Sequence, residues 1–340
     1  MSCLIGGAIG DALGAPIEFM NMNEIVSQYG ENGICDYVEY PDGLGEFTDD
    51  TQMTLFTAEG ILKDFQNFRK NNFQEFNFVN IYNSYQKWLF TQGFNANYFI
   101  NNPTNYIDGW LINRKELFKF RAPGNTCISS LENAKIGTIS NPINNSKGCG
   151  GVMRVAPVGL FFSEDFKLAF KIGAEIAAIT HGHPSGYLPA GVFSAIISLL
   201  TQGKNLKMAI ENAIELLKTY KQNNETLIAI QKSINLYHNS NSSESVSYIY
   251  KKIESIGAGW TGEEALAISL FCSLLFEDNF EKGVIVSVNH SGDSDSTGSI
   301  TGNILGLING IDSIPIKWIN NLKYKDIIEK IAVEIELANN

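Results

Sequence analysis

Two strips of glycine at opposite ends of the chain set the tightest limit on how it folds. Gly6, Gly10 and Gly14 recur four residues apart near the start, and Gly298, Gly302 and Gly306 repeat that step near the end. On a helix a four-residue step stays on one face. Each strip is therefore smooth and lets another helix or a ligand come close, and the two smooth faces are expected to pack together. Pro16 should end or kink the first helix just ahead of it. The glycine-rich look of 6–14 invites a dinucleotide-binding reading, but that fold needs a strand before the glycine turn, and none is expected ahead of this helix.

The chemistry concentrates in two other stretches. Residues 45–53 read Gly-Glu-Phe-Thr-Asp-Asp-Thr-Gln-Met, with Asp49 and Asp50 flanked by Thr48 and Thr51. An apolar stripe of Leu55, Phe56, Ala58, Ile61 and Leu62 follows at helical spacing. Taken alone, Thr48 is a helix N-cap and the two aspartates are first-turn acids. Residues 290–298, His-Ser-Gly-Asp-Ser-Asp-Ser-Thr-Gly, form a second acid-and-hydroxyl cluster at a second helix start. Two such helix starts suggest one shared site. Asp49, Asp50, Asp293 and Asp295 brought together would repel, and some would take up protons. Two divalent cations would cancel that charge. With the Thr48 and Ser296 hydroxyls the donor set is all oxygen, which suits Mg²⁺ or Mn²⁺ and not zinc.

These stretches also carry a family resemblance. The run Gly6-Gly7-Ala8-Ile9-Gly10-Asp11-Ala12-Leu13-Gly14-Ala15-Pro16-Ile17-Glu18-Phe19 is one part of it, and Thr48-Asp49-Asp50-Thr51 is another. Arg121 to Thr126, Gly148-Cys149-Gly150-Gly151-Val152-Met153-Arg154, Thr180-His181-Gly182-His183, Gly259-Trp260 and Gly292-Asp293-Ser294-Asp295-Ser296 complete the series. In this order, over nearly the whole chain, they resemble the ADP-ribosylglycohydrolase family. The resemblance implies that Glu18 is the active-site glutamate, that the loop 148–151 takes the diphosphate of ADP-ribose, and that His181 faces the ligand. Catalytic roles then fall to Glu18, Asp49, Asp50 and Asp295. Substrate contacts fall to Ser146, Gly148, Cys149, Gly150, Gly151, His181 and Trp260.

Read by itself, the glycine loop is either a flexible connection or a phosphate cradle, since nothing projects from its alpha carbons. Glu18 alone is as readily an exposed acid. Trp260 either fills the core, the preferred placement, or stacks on adenine. Arg121 braces a loop or touches substrate, and Arg154 pairs with a helix end or an acid. Thr126 is a candidate N-cap. His181 and His183 stand two apart like metal ligands, but no cysteine or third histidine stands nearby, so zinc is not expected.

Few stretches alternate with period 2. Residues 284–288 pass for a short strand but read better as helix. The expected fold is all-α: a compact orthogonal multi-helix bundle, one domain over 1–340. Ile81, Tyr85, Trp88 and Leu89 make a core-facing stripe. Residues 21–45 read as an ordered loop, a lid near Glu18, and residues 95–109 as a polar loop. No linker or internal repeat is visible.

A net charge of −11 leaves no basic face for nucleic acid or an anionic membrane surface. No apolar run reaches the roughly 20 residues of a membrane helix. An anionic ligand must be held locally, by cations, helix N-termini and backbone amides. Five cysteines without CxxC spacing, and no basic residue before Lys63 to start a secretory signal, point to the cytoplasm. The resemblance implies a hydrolase that removes ADP-ribose from a protein or peptide side chain. Arginine is the first choice of acceptor, from the 293–298 motif; serine-linked or small acceptors remain open. A different two-metal hydrolase, such as a phosphohydrolase, and a non-catalytic ADP-ribose binder are the rivals. Cys149 inside the glycine loop is the one departure from the pattern.

Overall fold

A computed structural model describes residues 1–39, 43–63, 65–73, 75–96, 109–133 and 135–339. Among these residues there are helices and turns, an isolated bridge between Gly148 and Thr261, and no strands. The first half carries α1 (Ser2–Gly14), α2 (Met22–Tyr29), α3 (Asp49–Leu62), α4 (Phe65–Lys70), α5 (Phe78–Thr91), α6 (Asn125–Glu132) and α7 (Ala156–Phe161). Then come α8 (Phe166–Ala178), α9 (Pro184–Thr201), α10 (Leu206–Leu217), α11 (Asn224–His238), α12 (Val246–Ile256) and α13 (Gly262–Leu275). The chain closes with α14 (Phe280–Val288), α15 (Ser294–Asn309), α16 (Ile316–Asn321) and α17 (Lys325–Asn339).

Short polar residues start many of these helices. The side chains of Asn21, Asn77, Asp165, Asn205 and Asn279 each accept a backbone N–H of the first turn, satisfying donors that have no partner inside the helix. The α4–α5 break falls where Asn72 and Phe73 take left-handed backbone. Residues 284–288 are helical, within α14. Ile81, Tyr85, Trp88 and Leu89 on α5 are buried, as their spacing predicts.

The two glycine strips face each other. α1 and α15 run antiparallel along their lengths, with Gly6 against Gly302, Gly10 against Gly298 and Gly14 against Ser294. A methyl on Gly10 would stand 2.0 Å from the Gly298 carbonyl oxygen, so only glycine permits this approach. The antiparallel direction has a consequence for function: it sets the end of α1 beside the start of α15, and so Asp11 beside Asp295. Helix α9 is 18 residues long and apolar enough to span a membrane by length and composition, but it is packed inside the protein against α7, α8 and α13.

Two expectations are corrected. The segment 21–45 is not all loop: α2 is held by a reciprocal cap in which the Asn21 side chain accepts from the Glu24 N–H and Glu24 accepts from the Asn21 N–H. The Asn-x-x-Glu spacing that signals such a cap was obscured by the tyrosines and glycines around it. Residues 40–42 of that expected loop lie outside the described residues, as do 97–108 of the expected polar loop. Thr126 is not an N-cap; Gly124 takes that position, and the Thr126 hydroxyl meets the Ser146 hydroxyl at 3.0 Å.

Candidate active site

The site is assembled on Asp11, buried one turn before the end of α1. Its Oδ1 accepts the Thr48 N–H at 2.8 Å, and its Oδ2 accepts the Thr51 N–H at 3.0 Å and the Thr51 hydroxyl at 2.5 Å. Three bonds thus pin the start of α3. Thr48 Oγ1 accepts from Asp50 N at 3.3 Å and donates to Asp295 Oδ2 at 3.1 Å, joining α3 to α15. Asp49 N donates to the Arg121 carbonyl at 3.1 Å, and Gly124 N donates to Asp49 Oδ2 at 3.3 Å. Asp293 stands at the N-cap position of α15, its own N–H bonded to Ala258 O at 2.9 Å. Glu18 follows the short turn after Pro16. Ligand oxygens of Glu18, Asp293 and Asp295 lie within 4.8 Å of one another.

Six buried carboxyl groups without a nearby cation cannot all ionise. Burial is the main cause, and the Asp295 charge the next, that pushes Glu18 up to about 10 and Asp11 up to about 7. The same two causes hold Asp49, Asp50 and Asp293 well above the ordinary carboxylate range. Burial also raises Asp295, against hydrogen bonds that lower it. One buried oxygen, Asp50 Oδ2, has no hydrogen-bond partner. An orphaned lone pair beside mutually repelling carboxylates is what a divalent cation would resolve, so these residues fit one. The oxygen donor set has a thiol at its edge: Cys149 Sγ donates to Asp293 Oδ2 at 2.5 Å, and burial keeps that thiol protonated by pushing its pKa well up.

Above the acids opens a cavity of about 290 Å³. Glu18, Asp49, Asp50, Asp293, Asp295 and Ser296 line it, with Gly148, Cys149, Gly150, His181 and Trp260. Thr48, Ser146 and Gly151 do not reach its wall. Thr48 stands behind the acids, Ser146 accepts the Gly148 N–H at 3.3 Å, and Gly151 packs on the Gly186 carbonyl. The glycine loop is tied down rather than loose: Cys149 N donates to Trp260 O at 3.1 Å and Gly262 N to Lys147 O at 2.8 Å. Its glycines are also demanded from behind. A methyl on Gly148 would stand 3.1 Å from His181 Nε2, and one on Gly150 2.8 Å from Cys127 Sγ.

His181 is buried under this loop and held neutral, its pKa lowered to about 3 by burial and then by Arg154. Arg154 Nη2 donates to Thr180 Oγ1 at 2.7 Å, and that hydroxyl lies 2.8 Å from His181 Nδ1. Arg154 also bonds the Ile176 carbonyl near the end of α8 and lies over the Tyr85 ring at 4.3 Å, so its partner is a helix end and not an acid. Arg121 braces the first acid cluster, donating to Glu46 O at 3.1 Å, and does not line the cavity.

Trp260 is not core. It is 42% exposed at the cavity mouth, and its ring stacks on Phe19, which is 75% exposed, with centroids 5.8 Å apart. Sequence reasoning missed Phe19, Asn125, Cys127 and Met153 on the cavity wall and Asp11 behind it. Asp11 had a signal: it is the one charged residue between Ser2 and Ile17, on a helix too apolar to carry an acid without a use for it. Phe19 had none beyond its place next to Glu18.

The model of the ADP-ribosylglycohydrolase family matches residues 1–340 of this chain. An ADP-ribosyl-dinitrogen reductase glycohydrolase of Rhodospirillum rubrum is 24% identical, over 96% of this chain and 90% of the relative. An ADP-ribosylarginine hydrolase of Pseudomonas putida is 22% identical, over 98% of this chain and 76% of the relative. A solved structure titled as an ADP-ribosylglycohydrolase-related protein complex has the same fold, with a TM-score of 0.66 at 19% identity, covering 100% of this chain and 97% of the other.

Proposed function

The chain belongs to the ADP-ribosylglycohydrolase family, and from that premise we propose that it hydrolyses the bond between ribose C1″ of ADP-ribose and an arginine side chain, with two Mg²⁺ or Mn²⁺ ions. The observation that carries this reading is the meeting of two acidic helix starts from opposite ends of the chain, with Glu18, under one cavity that a glycine loop borders. Asp49, Asp50, Asp293 and Asp295 would hold the cations, aided by Thr48 and Ser296. Bound there, the cations would supply charge balance and Lewis-acid polarisation.

The chain's own groups do the rest. Gly148 and Gly150, which line the cavity, would let the diphosphate approach the loop backbone closely, and the neutral His181 lies behind them. Glu18, the least buried acid of the cluster, and the aspartates beside it handle the proton. The bond at C1″ breaks through an oxocarbenium-like state. Its electron pair leaves with the guanidine nitrogen, the oxygen of water bonds to C1″, and one water proton ends on the departing nitrogen. The departing guanidine is delocalised and needs less acid help than an alkoxide. A cytoplasmic location is part of the same proposal, and five cysteines without disulfides are compatible with a reducing compartment.

The test is incubation with peptides ADP-ribosylated on arginine or on serine, followed by mass spectrometry. Free ADP-ribose should appear from the arginine-linked peptide with Mg²⁺ or Mn²⁺, stop in excess EDTA, and not return with Zn²⁺. Full turnover in EDTA would sink the two-cation reading. Release of AMP or phosphate would favour a phosphohydrolase.

A further inference from the structure

Phe19 and Trp260 put two exposed aromatic rings at the mouth of a cavity whose floor is acidic. The rings are nearly parallel, 22° apart. Phe19 follows Glu18 directly, and the Glu18 carboxylate clusters with those of Asp293 and Asp295. Trp260 is anchored to the same place from the other side: Gly259, in left-handed backbone, packs so closely that a methyl on it would stand 3.3 Å from Asp293 Cβ. The ring pair therefore overhangs the acid end, where the reading above puts ribose C1″. What remains attached to C1″ on the far side of the scissile bond must pass these two rings on its way out.

The chemistry of the mouth selects what passes. Among the described residues no lysine or arginine lines the cavity, and four aspartates and one glutamate do. An aromatic face carries negative charge density and attracts a cation above it. A guanidinium is planar, always charged and weakly hydrated, and stacks on such faces, whereas an aliphatic hydroxyl side chain offers neither a plane nor a charge.

We infer that Phe19 and Trp260 form a stacking clamp for the planar, cationic acceptor side chain and set the preference for arginine-linked over serine-linked ADP-ribose. The inference rests on the reading of this site as an ADP-ribosyl hydrolase. In the clamp one ring lies against the guanidinium and the other backs that ring, so the second acts on acceptor binding through the first.

The experiment uses the full chain with Mg²⁺ and compares wild type, Phe19→Ala, Phe19→Tyr and Trp260→Phe. It measures kcat and KM on matched arginine- and serine-linked peptides, and affinity for free ADP-ribose by calorimetry. Phe19→Ala should lower kcat/KM on the arginine-linked peptide about tenfold, mostly through KM, the size of one partly desolvated cation–aromatic contact. Phe19→Tyr and Trp260→Phe, which keep a ring, should stay close to wild type. In Phe19→Ala, hydrolysis of the serine-linked peptide and affinity for ADP-ribose should fall less than hydrolysis of the arginine-linked peptide. Equal losses on both peptides, or a matching loss of ADP-ribose affinity that places the rings on the adenine instead, would overturn the clamp and leave the hydrolase reading standing. Failure of the wild type to release ADP-ribose from either peptide would overturn both.

Discussion

Helices α1 and α15 meet along one antiparallel seam whose two ends do opposite things. At one end Gly6, Gly302 and Gly306 bring backbone onto backbone. Among the described residues nothing charged is buried there, and Cys3, pushed up to about 12 by burial, stays neutral. At the other end the same closeness brings Asp11 to Asp295, with Asp49, Asp50, Asp293 and Glu18 gathered around them. The first end stabilises by contact. The second holds carboxylates that repel one another and would gain stability from a bound cation, because ligand binding to the folded state alone stabilises it. The difference teaches that a glycine seam can serve a site it does not touch: by fixing the approach of the helices it fixes how near the acids stand.

The comparison can be broken at either end. The largest effect is expected at the glycines. Gly10→Leu would drive a side chain into the Gly298 carbonyl, and backbone cannot move aside as a flexible side chain can. It should destabilise the protein by about 3 kcal/mol or more, the upper range for overpacking, read as a lower urea midpoint. An unchanged midpoint would show the seam to be loose.

At the acid end, Asp49→Asn and Asp295→Asn should each lower kcat about 100-fold or more, by analogy with other lost charge-stabilising groups. Neither should lower the melting temperature of the metal-free protein, since each removes one repelling charge. Both should shrink the stabilisation given by Mg²⁺, and the double variant should be no worse than the poorer single one. Losses that multiply, with the full Mg²⁺ effect retained, would show that the two residues do not share a centre.

The third and smallest effect is in pH. His181 is lowered to about 3 and His290 to about 4, each chiefly by burial. A histidine whose folded pKa is depressed contributes stability that is present above its unfolded pKa of 6.5 and is lost as pH falls towards the folded value. With Mg²⁺ saturating, each should cost about 1.4 kcal/mol per pH unit between pH 6 and pH 4.5. His181→Gln should make the decline shallower by one proton. Both histidines belong to the acid end of the molecule, so an equal slope in that variant would move the pH sensitivity elsewhere.

Much of the site is legible in short stretches. The Thr48-Asp49-Asp50-Thr51 and Asp293-Ser294-Asp295-Ser296 clusters show as capping hydroxyls and first-turn acids because helix starts have donors to satisfy and a positive end to complement. The core stripe of α5 shows because burial imposes a 3.6-residue period. The cap of α2 was present as Asn21 and Glu24 and was outweighed by turn residues around it. Trp260 was misplaced into the core because a tryptophan's side chain looks the same to composition whether it meets a core or a ligand.

By itself the sequence determined the all-helical architecture, the two glycine faces and the two acidic helix starts, since each depends on residues within a few turns of one another. Only the tertiary structure decided that Asp11 would hold the first acid cluster, that Thr48 would reach Asp295 across 247 residues of chain, and that the Cys149 thiol would meet Asp293 across 144. It also decided that Phe19 and Trp260 would share the mouth. The physical reason is that such contacts follow from how the whole core closes, which fixes the direction and spacing of helices far apart in sequence, and no local pattern of residues carries that information.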